Sequence, residues 1–108
     1  MTGIWETVDR FGRAVSLSEE RWNHIVAARG RQGPSLDAIR EAIETAAEIT
    51  FDADYAHREC FYSNRSLGAS LKVVVQYRPV PPQGAWAGTV ITAHPARAVK
   101  RRETRRWP

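Results

Sequence analysis

Apolar residues change their spacing along this chain. Ile4 to Val8 and Ala14 to Leu17 are strand-like runs around Asp9 to Arg13, with Gly12 in the turn, and together they predict a hairpin. Ser18 is placed to cap a helix whose first turn carries Glu19 and Glu20, where the helix dipole favours acids. That helix runs to about Arg29 and stops at Gly30. Trp22, Ile25, Val26 and Arg29 form one stripe, while His24 lies roughly opposite, on a line with Leu17, Arg21 and Ala28. Ser35 caps a second helix with Asp37 in its first turn. Leu36, Ile39, Ile43 and Ala46 or Ala47 recur at helical spacing, and Arg40, Glu41, Glu44 and Glu48 fall on the solvated side.

From Ile49 the period becomes two. "ITF" predicts a short strand, and "HRECFYS" another, with His57, Glu59 and Phe61 on one face and Arg58, Cys60 and Tyr62 on the other. "NRSLG" reads as a turn. In "SLKVVVQYR", Leu71, Val73, Val75 and Tyr77 point one way and Lys72, Val74 and Gln76 the other. The prolines of "PVPPQG" predict a stiff turn without ladder pairing, and "AWAGTVITAH" a last long strand that Pro95 ends. Hairpin, two helices, then an antiparallel meander of three or four strands predict an α+β fold in one domain. The helices are expected to cover one sheet face and leave the other partly open.

Composition changes this picture little. A chain of 108 residues with 43% hydrophobic and 26% charged residues has the makeup of one globular domain. It contains no apolar run near the ~18 residues that a membrane helix needs. "MTGIWETVD" lacks a basic then apolar signal region. The lone Cys60 excludes an internal disulfide and predicts a core thiol. These features predict a cytoplasmic protein with no membrane partner. The charge is uneven. Pro95 to Pro108 hold six Lys or Arg and one Glu, whereas the first 94 residues hold ten basic and eleven acidic groups. A basic end of this kind attracts polyanions, or serves only as a solubilising tail.

The chain has no HExxH, Cys/His quartet, P-loop, GxGxxG or GxSxG, so neither a metal nor any other cofactor is expected. The remaining toolkit of His, Arg, Lys, Thr, Ser and Tyr suits metal-independent RNA cleavage. There a 2′-hydroxyl attacks phosphorus while a base, an acid and cationic donors assist. Three histidines, His24, His57 and His94, are available for proton transfer. Thr92 and His94 share a strand face. Arg29 and Arg31 follow His24, Arg58 follows His57, and Lys100, Arg101 and Arg102 follow His94, with guanidinium groups suited to phosphate oxygens.

The succession "TVDRFGRAVSLSEERWNHI", a helix, "ECFYS", "LKVVV" and "VITAH" resembles the phage-associated nuclease domains of the barnase–EndoU–colicin E5/D–RelE (BECR) class. The hairpin leading into W-x-H-I is the most similar part. The resemblance implies two helices packed on an antiparallel four-stranded sheet. With the hairpin, the expected architecture is an N-terminal hairpin and two helices on such a sheet. It also implies a metal-independent ribonuclease, often a toxin or conflict-system effector, opposed by an acidic antitoxin or immunity protein. The family's helix histidine maps onto His24, its next basic position onto Arg29, and its strand threonine onto Thr92. His94 stands where the family has tyrosine. The expected catalytic set is therefore His24, Thr92, His94 and Arg29, with Arg31, Arg58 and Lys100 on the RNA. A non-catalytic RNA-binding module and a protein-interaction domain are the alternatives.

Overall fold

The computed structural model describes residues 3–29, 33–63, 70–100 and 102–108. Gly30, Arg31 and the "NRSLG" segment lie outside the described residues. The elements run β1 (Gly3–Val8), β2 (Ala14–Ser18), α1 (Glu19–Arg29), α2 (Leu36–Glu44), β3 (Glu48–Phe51), β4 (Arg58–Tyr62), β5 (Ser70–Val80), β6 (Ala85–Ala96) and β7 (Thr104–Trp107).

The expected four-stranded antiparallel sheet is overturned. All seven strands form one mixed sheet in the order β1-β2-β6-β5-β4-β3-β7. The hairpin is part of this sheet. Ala14 to Ser16 of β2 pair in parallel with Ala87 to Thr89 of β6. The chain end adds β7 to the β3 edge. Burial explains the first addition: Val15 and Leu17 are fully enclosed in the main core, which a free-standing hairpin could not provide. Two proline expectations also change. β5 continues through Pro79 to Val80, paired with Trp86 and Ala85, and β6 passes through Pro95 to Ala96. Proline removes only its own N–H from the ladder and leaves its carbonyl available.

The hairpin turn is built by Asp9. Its Oδ1 accepts from the backbone N–H groups of Phe11 and Arg13, both at 2.9 Å, while Gly12 takes φ +84°. Ser18 Oγ accepts from Arg21 N, and Ser35 Oγ from Ala38 N, each at 3.1 Å, so both expected caps hold their helices. Ile25 from α1 and Ile39, Ala42 and Ile43 from α2 pack against Phe61, Val73, Val75, Val90 and Ala93 on the inner sheet face. On α1 the apolar stripe is narrower than its sequence suggests, because Val26 is exposed.

The outer face carries a smaller core of Cys60, Tyr62 and Val74, covered by Ile91, Ala96 and Val99. The chain after β6 therefore folds across this face before entering β7. A register shift between Val74 and Val75 inserts Ile91 as an extra residue opposite them. That bulge lets Val90 and Ala93 both face the inner core while Thr92 and His94 face outward. At one end, the hairpin turn reaches β7. Arg10 donates to Ala46 O at 2.9 Å with its guanidinium 3.8 Å from the Trp107 ring centroid, and Arg106 lies 4.5 Å from that of Phe11. These contacts curl the sheet so that its two outermost strands approach around α2.

Candidate functional site

Alternation along β4, β5 and β6 decides which side chains share the outer face. Lys72 is paired with His94, Val74 with Thr92, and Gln76 with both Thr89 and Arg58. Thr92, His94 and Arg58 therefore project from the same side. Lys100 joins them, lining a cleft of about 410 Å³ with Lys72, Asp52, Asp54, Arg102 and Glu103. Four of the seven expected residues thus lie on one surface.

His24 is exposed on α1. Helix α1 packs beside β6, and Arg21, one turn before His24 on the same stripe, lines a cleft of about 510 Å³ with Ser16, Ser18, Arg78 and Thr89. The start of α1 therefore borders the outer face along β6, while the helix packs Ile25 into the inner core. Among the described residues, no hydrogen bond, ring contact or ion pair joins His24 to His94. Arg29 is the last residue of α1, with its side chain outside the described part, and Arg31 lies beyond. Thr92, His94, Arg58 and Lys100 share a face without a hydrogen bond or ion pair among them, and no contact among the described residues draws His24 to them.

His94 Nδ1 lies 3.0 Å from Pro95 O. A carbonyl only accepts, so Nδ1 carries the hydrogen and Nε2 bears the lone pair when the ring is neutral. Arg58 donates through Nε to Gln76 Oε1 at 2.9 Å, and its guanidinium sits 4.0 Å from the ring centroid of exposed Tyr55. Arg78 donates to Thr89 Oγ1 at 3.0 Å. Ser16, Thr89, Gln76 and Arg58 form a polar row across four adjacent strands.

Beneath Lys100 lies a buried ion pair. Lys72 Nζ donates to Glu103 Oε2 at 2.7 Å, Tyr62 OH donates to Oε1 at 2.7 Å, and Thr50 Oγ1 donates to the same oxygen. Desolvation opposes the charge on Glu103, yet the hydrogen bonds from Lys72, Thr50 and Tyr62 prevail and hold its carboxyl below the usual range. Burial pushes the Cys60 thiol up to about 12, so it is not a nucleophile at neutral pH.

A second charged cluster lies at the curled end of the inner face. Arg13 donates to Asp9 through Nε and to both oxygens of Glu59 through Nη1 and Nη2, each at 2.8 Å. Tyr77 OH donates to Asp9 Oδ2 at 2.7 Å, and Arg106 Nε lies 3.2 Å from Glu59 Oε1. Burial, then the bond to Asp9, raises the Tyr77 hydroxyl far above its usual value. Sequence reasoning missed this cluster. Its one local signal is Asp9 and Arg13 flanking Gly12, since Glu59 and Tyr77 join them only through sheet pairing.

Among the described residues, no group of three or more His, Cys, Asp or Glu could hold a metal ion, and no helix is long and apolar enough to cross a membrane. No protein-family model matches this chain, and no curated protein or solved structure matches it either. The likeness to BECR-class nucleases rests on the sequence motifs quoted above.

Proposed function

We propose that this protein is a metal-independent RNA endonuclease acting on the outer sheet face beside α1. The observation carrying the reading is that Thr92, His94, Arg58 and Lys100 share that face, with Arg21 at the start of α1 on its edge. His94 Nε2 takes the proton of the attacking 2′-hydroxyl. His24, as imidazolium, protonates the leaving 5′-oxygen. In-line displacement puts the entering and leaving oxygens on opposite sides of phosphorus, so the base and acid flank the phosphate and need not touch. Thr92 donates to a non-bridging oxygen, and Arg29, Arg31, Arg58 and Lys100 hold the phosphates. The products end in 2′,3′-cyclic phosphate. A toxin or conflict-system effector of this type would meet an acidic antitoxin or immunity protein over the same face.

Incubation of RNA with the protein in EDTA tests the reading. Cleavage with cyclic phosphate ends is expected, reduced roughly 10²- to 10⁴-fold by His94→Ala and by His24→Ala. Absence of cleavage, or activity indifferent to both substitutions, removes it. The polar row of Ser16, Thr89, Gln76 and Arg58 favours a second reading, because it can bind phosphates without proton transfer. That reading expects intact RNA to be recovered from a complex that weakens steeply with salt.

A further inference from the structure

His57 is the one described non-glycine residue with positive φ, at +60°. Backbone of this kind is uncommon outside glycine, histidine being among the side chains that tolerate it better, and it is retained where the surroundings hold it. Here Tyr77 N donates to His57 O at 2.8 Å, and the imidazole lies on the Trp86 indole with ring centroids 4.8 Å apart. The ring is exposed and its nitrogens have no partner among the described residues. It stands at the mouth of a cleft of about 390 Å³ lined by Phe51, Trp86, Arg106, Arg13, Glu59 and Tyr77.

The cleft divides by chemistry. Its floor is committed, because Arg13 bonds Asp9 and Glu59 through Nε, Nη1 and Nη2 and stacks 3.8 Å from the Tyr77 centroid. Its rim is not. Arg106 uses Nε on Glu59 and leaves Nη1 and Nη2 without partners among the described residues, with its side chain 31% exposed. Phe51 is exposed beside it, at 5.2 Å from the guanidinium. Aromatic surface, a free guanidinium edge and a free imidazole thus converge on one opening. Aromatic faces accept any flat heteroaromatic ring, and guanidinium edges pair with phosphate oxygens.

We propose that this cleft is a binding site for a nucleotide unit, its base against Phe51 and the Trp86–His57 pair and its phosphate on Arg106 and His57. Glu59 is already held by two arginines, so it adds no free negative charge to repel the phosphate. The site lies on the inner face, away from Thr92 and His94. The assignment is independent of cleavage: a protein that binds nucleotides here and cuts no RNA upholds it.

Tryptophan fluorescence and calorimetry of the full chain with adenosine and guanosine monophosphates test it. Ribose 5-phosphate, inorganic phosphate and the nucleosides serve as controls. At least one nucleotide is expected to bind tenfold or more tightly than each control. Arg106→Gln should weaken that binding about tenfold. Arg106 also bridges elements of the fold, so His57→Gly provides the cleaner variant. Glycine relieves the backbone at φ +60°, and the midpoint of unfolding should stay level or rise while nucleotide affinity falls about tenfold. Equal affinity for inorganic phosphate and nucleotide, no nucleotide binding by the folded protein, or unchanged binding in a folded His57→Gly variant overturns the proposal.

Discussion

A methyl group at Gly88 would lie 2.5 Å from Val75 Cγ1 and 2.8 Å from Tyr77 Cε1. The Tyr77 ring, across the ladder from Gly88, occupies the place a side chain would need, and its hydroxyl reaches Asp9 in the hairpin turn. Gly88→Ala is expected to destabilise by about 1–3 kcal/mol through overpacking, read as a lower urea midpoint. Arg13 makes the complementary case. Its guanidinium is the shared partner of two carboxylates, Asp9 and Glu59, whose side chains are 0% and 6% exposed. Burial opposes the charge on Arg13, but the Glu59 bonds and the nearby Glu59 and Asp9 charges raise its already high affinity for protons. Arg13→Met leaves Asp9 without a cation and Glu59 with Arg106 alone, and a loss of about 3–5 kcal/mol is expected in equilibrium unfolding. Arg13→Met combined with Glu59→Gln should recover part of that loss. A double variant no more stable than the single one would show that the Arg13–Glu59 bonds are not the source of the loss.

Elements were legible where one local pattern determined them. Both helices begin at their expected serine caps, and β5 turns Leu71, Val73, Val75 and Tyr77 to the inner core as its period-two pattern requires. What could not be read was pairing between distant segments. The parallel register of β2 on β6 has no local marker, and neither does the placing of β7 against β3. The same holds for the sites. Thr92 and His94 share a face by simple alternation, but the bulge at Ile91 that brings Thr89 onto the same face is not revealed by sequence periodicity. Lys72 and Glu103 stand 31 positions apart, and the isolated lysine in "LKVVV" says only that something must meet its charge. This pairing has a pH signature. The folded Glu103 carboxyl titrates below its unfolded counterpart, so between the two the unfolded chain binds more protons. The stabilisation is complete above the ordinary glutamate value of about 4.3 and disappears as pH falls through the folded value. In chemical denaturation, wild type should lose stability on acidification below about pH 4.3, and Glu103→Gln should flatten part of that slope. A Glu103→Gln variant with an unaltered acid limb would show that the carboxyl is not held as described.

For the molecule as a whole, the position of the basic end separates two descriptions of it. As a trailing cationic arm, it would bind polyanions and add nothing to folding. Its arginines are instead distributed over the body: Arg102 pairs with Asp54 at 2.9 Å, Arg105 with Glu48 at 3.2 Å and Arg106 with Glu59 at 3.2 Å. Trp107 packs against the main core beneath Arg10. Removing residues 103–108 would delete an outer strand, uncover the Ile49 edge and leave Lys72, 5% exposed, without its carboxylate. The stranded ammonium alone is expected to cost about 3–5 kcal/mol, a large fraction of the ~5–15 kcal/mol by which small domains are stable. The truncated chain should therefore lose its cooperative thermal transition or unfold at a far lower temperature. Restoring only the charge balance, by adding Lys72→Met to the truncation, should recover part of the loss but not the contribution of β7. If the truncated protein melts with the full chain and loses only RNA affinity, the end is an arm after all, and the closure of the sheet through Arg10, Trp107, Phe11 and Arg106 is not what holds the fold together.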